Sequence, residues 1–168
     1  MRRLSNDDTL TKLGDTYHYL VVLEHCLELD EGETIYVEEH GDVSKISPND
    51  PSNIEVKSHL AEHPLSDRDS EFWNTLKNWI INRDHLASYK RLILLTTSTV
   101  SDESAFYRWD ELDAQERVER LSAIGRIKKE QEKTFRPLFN AVFGCPNDAL
   151  TQIVGRVELC CYRQHIVA

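Results

Sequence analysis

The stretch Asn53-Ile54-Glu55-Val56-Lys57-Ser58 alternates polar and apolar residues, which is the pattern of a β-strand with two different faces. Side chains alternate between the faces of a strand, so Glu55 and Lys57 project to one side and the apolar residues to the other. Ahead of it, the turn formers Ser47-Pro48-Asn49-Asp50-Pro51-Ser52 predict a reversal of the chain. We therefore predict a β-hairpin whose second strand carries an acid and a lysine on one face.

The residues before this hairpin predict its first strand and a preceding helix. Thr34-Ile35-Tyr36-Val37 is β-branched and aromatic, and we expect one strand to run from it toward Asp42. Upstream, Asp15-Thr16 can cap a helix over residues 17–29, with Glu24 at the border of its apolar side. We expect that side to face the core, and it comprises Tyr19, Leu20, Val22, Leu23, Cys26, Leu27 and Leu29.

After the hairpin, the pattern alternates between helix and strand. Apolar residues spaced three and four apart predict a helix from Asp69 to Asn82, with Trp73 and Trp79 on its inner face rather than free to stack on bases. The continuous apolar run over residues 91–97 is typical of a strand that is covered on both faces, so we expect it to be central in the sheet.

The C-terminal portion is predicted to be mainly helical. The charged, proline-free segment from Asp110 to Thr134 predicts one long helix, which Pro137 ends or restarts. A short helix over 138–143, another after Pro146 and a last strand over 157–160 complete the prediction. The fold class is therefore α/β: a central β-sheet flanked by helices, with a helical C-terminal portion.

Length and composition limit the number of domains and the location. With 168 residues, the chain is expected to form one domain over residues 14–168, preceded by a polar and flexible segment over residues 1–13. Its apolar runs are too short to cross a bilayer, and no apolar stretch follows the N-terminal arginines. We therefore expect a cytoplasmic protein without a membrane span.

The net charge of −9 argues against sequence-independent coating of nucleic acid, which depends on neutralising phosphates. It leaves open an enzyme that grips nucleic acid locally. The excess negative charge is confined to the first 62 residues, which hold 14 acids and 5 bases. Clustered carboxylates of this kind suit a hard divalent cation.

Four residues in this acidic part form the candidate catalytic set: Asp42, Glu55, Lys57 and Glu24. Carboxylates that converge at a sheet edge offer oxygen ligands to Mg²⁺ or Mn²⁺, whose waters can be activated for attack. The ammonium of Lys57 can stabilise the charge that develops on a phosphodiester, or, if its neutral form is favoured, accept a proton from water. An acid followed at a distance by acid-x-Lys also occurs on ordinary exposed strands, so the motif gains weight only from its hairpin and helix context.

With Asp42 and Glu55-Val56-Lys57 as its core motif, the sequence resembles the PD-(D/E)XK superfamily of restriction-endonuclease-like nucleases. The likeness extends to the N-terminal nuclease domain of bacterial anti-phage effectors, those of CBASS systems and those fused to NTPase sensors. It covers roughly residues 10–160 and includes Gly14-Asp15-Thr16-Tyr17-His18-Tyr19-Leu20, Glu39-His40-Gly41-Asp42-Val43, Phe72-Trp73-Asn74-Thr75-Leu76-Lys77-Asn78-Trp79 and Leu94-Leu95-Thr96-Thr97.

The resemblance implies a restriction-endonuclease-like core with a mixed sheet and a metal-dependent endonuclease of double-stranded DNA. Asp42, Glu55 and Lys57 match the family's metal-binding and catalytic positions, and Glu24 matches an acid on the first helix that also binds metal. The chain departs from this branch at Glu55, where glutamine is common, and at His18, where glutamine is usual. Because such effectors continue into a sensor domain, the resemblance also implies a longer protein, a homo-oligomer or a separate sensor or NTPase partner.

Alternatives to a DNase remain open at this point. A catalytically silent module could keep the fold to bind DNA or a partner protein, and RNA could replace DNA as the substrate. His59 and His63, four residues apart, offer a weak zinc pattern without an evident third ligand. The arginines and lysines of the predicted long helix, Arg117 among them, are interpreted as a salt-bridged solvent face rather than a nucleic-acid surface, because glutamates intervene.

Overall fold

The computed structural model describes residues 9–59, 63–127 and 132–161, with side chains from residue 12 onward. These ranges contain five helices and five strands, with one 3₁₀ turn at Trp109–Glu111. In chain order they are α1 (Thr9–Leu27), β1 (Thr34–Val37), β2 (Val43–Ile46), β3 (Ser52–Lys57), α2 (Ser70–Ile81), β4 (Arg91–Thr96), α3 (Ala114–Arg126), α4 (Phe135–Phe143), α5 (Asn147–Gly155) and β5 (Val157–Cys161).

The strands form one five-stranded sheet in the order β1-β2-β3-β4-β5. The β1–β2 and β2–β3 pairs are antiparallel, whereas β3–β4 and β4–β5 are parallel, so the sheet is mixed and open. Strand β4 lies inside the sheet and is buried from Leu92 to Thr96, because helices cover both of its faces. The predicted α/β class, mixed sheet and interior position of this strand are confirmed.

Helices cover the two faces of the sheet unequally. On one face, α2 to α5 enclose the larger core, in which Trp73 and Trp79 are almost completely buried, as predicted. Helix α2 begins and ends as expected, because the Asp69 side chain accepts hydrogen bonds from the Glu71 and Phe72 amides. On the other face, the smaller core consists of Val21 from α1 and four sheet residues, Val43, Ile54, Ile93 and Leu95.

The single strand predicted from Thr34 toward Asp42 is instead two strands joined by a tight turn. Strand β1 ends at Val37, and Glu38 and Gly41 then adopt positive φ angles of 60° and 128°. Such angles interrupt an extended strand, and glycine adopts them without steric cost. The chain therefore reverses before Asp42, and β2 begins at Val43, which adds a strand to the predicted hairpin.

Helix α1 differs from the prediction in its ends and in its buried side. It begins at Thr9 rather than Tyr17 and ends at Leu27 rather than Leu29. The predicted apolar arc is mostly exposed. Of its members Val22 packs on the sheet, together with Tyr17 and Val21, which were not part of the arc. The prediction followed the hydrophobic residues alone, whereas the sheet lies against a neighbouring strip of the helix.

The prediction of one long helix from Asp110 to Thr134 is wrong. Asp113 has an extended backbone and forms a capping box with Glu116, so α3 begins only at Ala114. At the other end, Ile127 returns to an extended conformation and its carbonyl accepts a hydrogen bond from Arg68. Residues 128–131 of the predicted helix lie outside the described residues.

Helix α4 begins at Phe135, three residues before the predicted short helix. Pro137 is therefore inside the first turn rather than before the helix. This position tolerates proline, because the first amides of a helix have no carbonyl partner within it.

Arg117 on α3 is buried and does not belong to a salt-bridged solvent face. Its guanidinium donates hydrogen bonds to the carbonyls of Val154, Gly155 and Val157 at 3.2, 3.2 and 2.8 Å, and to Trp109 at 3.2 Å. The side chain therefore joins α3 to the end of α5 and the start of β5.

Replacing Arg117 with alanine should lower the free energy of unfolding by about 3 kcal/mol, because several buried carbonyls would lose their donor. Urea denaturation of Arg117→Ala against the wild type measures this loss. Arg126→Ala is the control, since Arg126 is exposed on the same helix and should change stability by less than about 0.5 kcal/mol. Equal effects of the two substitutions would contradict a structural role for Arg117.

None of the described helices has the length and the apolar character required to cross a membrane. The cytoplasmic location stays a prediction. The predicted flexible segment over residues 1–13 is helical from Thr9 onward, while residues 1–8 lie outside the described residues.

Candidate metal-binding and catalytic site

Asp42 is placed beside β3 by the turn that separates β1 from β2. Val43 pairs with Ile54, so Asp42, one residue earlier, lies next to the C-terminal half of β3. There, the Val56 amide donates a 2.7 Å hydrogen bond to Oδ2 of Asp42. A side-chain carboxylate thus extends the contacts between the two strands and is held in a fixed position.

Glu55 and Lys57 occupy the same face of β3 as predicted and meet Asp42 there. Nζ of Lys57 is 3.2 Å from Oε2 of Glu55 and 3.9 Å from Oδ2 of Asp42. The three side chains are between 20% and 28% exposed, so a substrate can reach them although they are largely surrounded by protein. The structure brings this predicted triad together, whereas the catalytic roles of its members stay predictions.

The Glu55 carboxylate is held in an environment that disfavours its charge. Burial and, next in importance, the charge of Asp42 raise the pKa of Glu55 above the ordinary glutamate value, although Lys57 opposes the shift. Two carboxylates that share a partly buried site repel each other, and a cation between them would relieve that repulsion. Such a perturbed acid in a cleft is a common property of functional sites.

Glu55→Gln should stabilise the protein at neutral pH. An acid whose folded-state pKa is raised loses folding free energy as the pH rises from its unfolded value, about 4.3, through the folded value. We therefore expect Glu55→Gln to unfold at higher urea than the wild type at pH 7, with the difference disappearing toward pH 4. The exposed Glu103 provides a matched control, since Glu103→Gln should behave as the wild type at both pH values.

Asn53 supports the turn that carries Asp42, a role that the sequence did not reveal. Its buried amide donates to the His40 carbonyl at 2.7 Å and to Oγ of Ser44 at 3.1 Å. Its own oxygen accepts a 3.0 Å hydrogen bond from the indole of Trp79. The turn is thereby tied to α2, and no pattern in the sequence around Asn53 indicated this role.

His18 of α1 contacts the turn that carries Asp42. Its Nε2 lies 3.4 Å from the Asp42 carbonyl oxygen, and its Nδ1 lies 3.5 Å from Oε1 of Glu38 in the same turn. His18 therefore holds the backbone of Asp42 from the side opposite Asn53. The sequence singled out this position only because glutamine is usual there in the resembling family.

Glu24, the predicted third acid, lies on an exposed part of α1. Six residues separate it from His18, so helix geometry places it about 9 Å further along the axis and about 120° around it. Within residues 9–59, 63–127 and 132–161, no three acidic, histidine or cysteine side chains are placed to hold one ion. The structure does not bring Glu24 into a group with Asp42 and Glu55, and its role as a ligand stays a prediction.

A cavity of about 430 Å³ opens beside Glu55, between the β1–β2 turn and the C-terminal part of α2. Its polar lining comes from carboxylate, amide and imidazole groups, and its apolar wall comes from the buried Trp79 and Leu86. The lining residues that matter for the triad are Gly41, Glu55, Asn78, Trp79 and His85.

His59 and His63 do not lie on one helix face as the zinc pattern required. Their imidazole rings stack with centroids 4.0 Å apart, and Nε2 of His59 contacts Oε2 of Glu71 at 3.0 Å. Nδ1 of His63 is 3.2 Å from Oγ of Ser98, so each ring has a separate partner. The pair packs the segment after Lys57 against α2 and the end of β4.

Comparisons with protein-family models, with curated proteins and with solved structures each find no match to the chain. The resemblance drawn from the motifs stays a prediction. What the structure itself shows is the α/β fold with its mixed sheet and the meeting of Asp42, Glu55 and Lys57 on one side of β3.

Proposed function

We propose that the chain is a metal-dependent endonuclease domain that hydrolyses phosphodiester bonds of double-stranded DNA. One observation carries the proposal: two carboxylates and one ammonium group, from the β1–β2 turn and from β3, meet with Lys57 Nζ 3.2 Å from Glu55 and 3.9 Å from Asp42. This combination can bind a divalent cation and a phosphate at neighbouring positions. The motif resemblance to restriction-endonuclease-like nucleases supports the same chemistry and a core of that type.

The residues present fit Mg²⁺ or Mn²⁺. Carboxylate oxygens are the ligands these hard cations prefer, and Mg²⁺ is commonly held by one or two carboxylates together with waters and substrate oxygens. Asp42 and Glu55 would hold the ion, with Glu24 as the third acid that the motifs suggest. The ion would supply charge stabilisation and an activated water for attack on phosphorus.

The protein's own groups would orient and stabilise the substrate. The Val56 amide fixes one oxygen of Asp42 and leaves the other available. The Lys57 ammonium donates to a non-bridging phosphate oxygen and stabilises the charge that accumulates there during displacement. Lys57 lies within ion-pair distance of both carboxylates, so a phosphate bound beside the ion would be near its ammonium group.

The resemblance places such domains in anti-phage effectors, and we propose that role together with restraint by oligomerisation or a sensor partner. The acidic chain offers little general attraction to DNA, so contact with the duplex depends on local groups and on the ion. A nuclease with weak intrinsic affinity is active chiefly when something raises its local concentration on DNA.

Plasmid cleavage with added Mg²⁺ or Mn²⁺ tests the proposal, and EDTA should abolish it. Lys57→Ala should lower the rate about 10²- to 10³-fold, the usual cost of removing a charge-stabilising donor. Lys77→Ala, on the outer side of α2, is the matched control and should cleave at the wild-type rate. Cleavage that persists in EDTA, or that proceeds at the wild-type rate in Lys57→Ala, would refute the mechanism.

Lys57→Arg distinguishes the two roles of the lysine. Arginine keeps the positive charge but cannot act as a base, so cleavage within about tenfold of the wild-type rate would assign Lys57 to charge stabilisation. Loss as severe as that of Lys57→Ala would instead assign it to proton transfer or to strict geometry. Cleavage assays with single-stranded RNA and single-stranded DNA as added substrates show which nucleic acid the chain cleaves.

Calorimetric titration with Mg²⁺ separates the enzyme from the silent module. The enzyme should bind the ion, and the double variant Asp42→Asn with Glu55→Gln should not. A wild-type chain that binds no divalent ion and cuts no nucleic acid would favour a module that only binds DNA or a partner protein.

A further inference from the structure

The cavity beside Glu55 has the size and the lining of a site for a small uncharged group. Its volume of about 430 Å³ lies within the range of small-molecule sites, about 300–1,000 Å³. Among the described residues that line it there is no lysine or arginine, whereas Glu39 and Glu55 are present. Two carboxylates without a cationic side chain beside them repel a phosphate, so the cavity itself favours an uncharged ligand.

The polar side chains on the α2 side of the cavity are available to such a ligand. Asn78 and His85 are exposed, and their side chains have no hydrogen bond to the residues that the structure describes. The side-chain nitrogen of Asn82 donates a 2.9 Å hydrogen bond to the Asn78 carbonyl, which leaves the Asn82 side-chain oxygen as an acceptor. Amide and imidazole groups together offer both donors and acceptors, and an asparagine amide in particular matches an edge of adenine.

Gly41 keeps the cavity open to the Glu55 carboxylate. A Cβ atom at this position would lie 2.9 Å from Oε1 of Glu55 and 3.1 Å from Nδ2 of Asn53, which is too close for an ordinary side chain. On the same carboxylate, Oε2 is 3.2 Å from Nζ of Lys57. Glu55 therefore borders both the lysine and the cavity, so a nucleotide whose phosphate lies near Lys57 can have its base in the cavity.

We propose that the cavity beside Glu55 receives the base of an unpaired nucleotide, adenine above all, whose phosphate lies at Asp42, Glu55 and Lys57. This inference rests on the proposed endonuclease function and narrows its substrate to DNA with an unpaired or extruded nucleotide at the cut. The cavity admits one base, and a base that is stacked in a duplex must first leave the stack. The cost of extrusion is smallest where the base is mismatched or already unpaired.

Cleavage of two matched duplexes tests the preference. One duplex carries a single unpaired adenine, and the other is fully paired. With Mg²⁺, the wild type should cut beside the unpaired adenine at least about tenfold faster than at the same position of the paired duplex, because the cost of extrusion is avoided. Asn78→Ala and His85→Ala should each lower this ratio severalfold and, since both residues are exposed, should keep the wild-type circular dichroism spectrum.

Asn74→Ala is the matched control. Asn74 is an exposed asparagine of the same helix, one turn before Asn78, and it does not line the cavity. The variant should therefore keep the wild-type ratio of the two cleavage rates. A ratio that survives both Asn78→Ala and His85→Ala would overturn the cavity as the origin of the preference.

Insertion of the base is measured without cleavage by replacing the unpaired adenine with 2-aminopurine, an adenine analogue whose fluorescence depends on its stacking. Titration of this duplex with the wild type in EDTA, and with Lys57→Ala in Mg²⁺, should change the emission. The change should be reduced when Asn78→Ala is present and unaffected by Asn74→Ala.

The two measurements separate this inference from the proposed function. A change in emission that Asn78→Ala reduces, without cleavage of either duplex, would refute the endonuclease and support the base site. Equal cleavage of both duplexes with unchanged emission would overturn the base site and leave the endonuclease standing. Absence of both signals would overturn both. Adenosine 5′-monophosphate that displaces the unpaired duplex at equal concentration would overturn the assignment to DNA, because the cavity would then bind a free nucleotide.

Discussion

The hydrogen bond from the Val56 amide to the Asp42 carboxylate is the contact on which the candidate site depends. It fixes an acid that belongs to a turn, and so would otherwise be mobile, against the strand that carries Glu55 and Lys57. Asn53 and His18 hold the same turn from opposite sides through its backbone carbonyls. A site assembled from one turn and one strand is thus given a fixed geometry by hydrogen bonds from amide and imidazole groups around it.

The ionised Glu55 carboxylate lowers the stability of the folded chain. Burial and repulsion from Asp42 make the ionised Glu55 unfavourable, and Lys57 offsets only part of that cost. A protein selected for stability alone would have an uncharged residue there. The local disadvantage is balanced by the large core on the same face of the sheet, where helices α2 to α5 pack on β4 and β5.

Much of the fold and part of the site were predictable because they follow from short-range patterns. The alternation of residues 53–58 placed Glu55 and Lys57 on one face, and the apolar run of β4 indicated an interior strand. The turn at Glu38 and Gly41 was missed because its positive φ angles depend on the pairing of β1 with β2, which no local pattern specifies. Asp113 and Glu116 have the spacing of a capping box, which marks the start of a helix. The helical periodicity on both sides of Asp113 nevertheless favoured one continuous helix. Contacts such as Asn53 with Trp79 join residues that are distant in sequence, so only the folded chain reveals them.

The division of the sheet into an antiparallel and a parallel half has a consequence for the order of folding. Strands β1 to β3 follow one another through short turns, so their contacts can form early on the ribosome, before the rest of the chain is synthesised. The parallel pairs β3–β4 and β4–β5 are connected by long crossovers through helices, so these pairs must form later. The acidic turn and its lysine would then exist as a hairpin in the nascent chain, without the large core behind them. The cavity beside Glu55 is also lined by α2 and the turn that follows it, so it can form only after that helix has packed on the sheet.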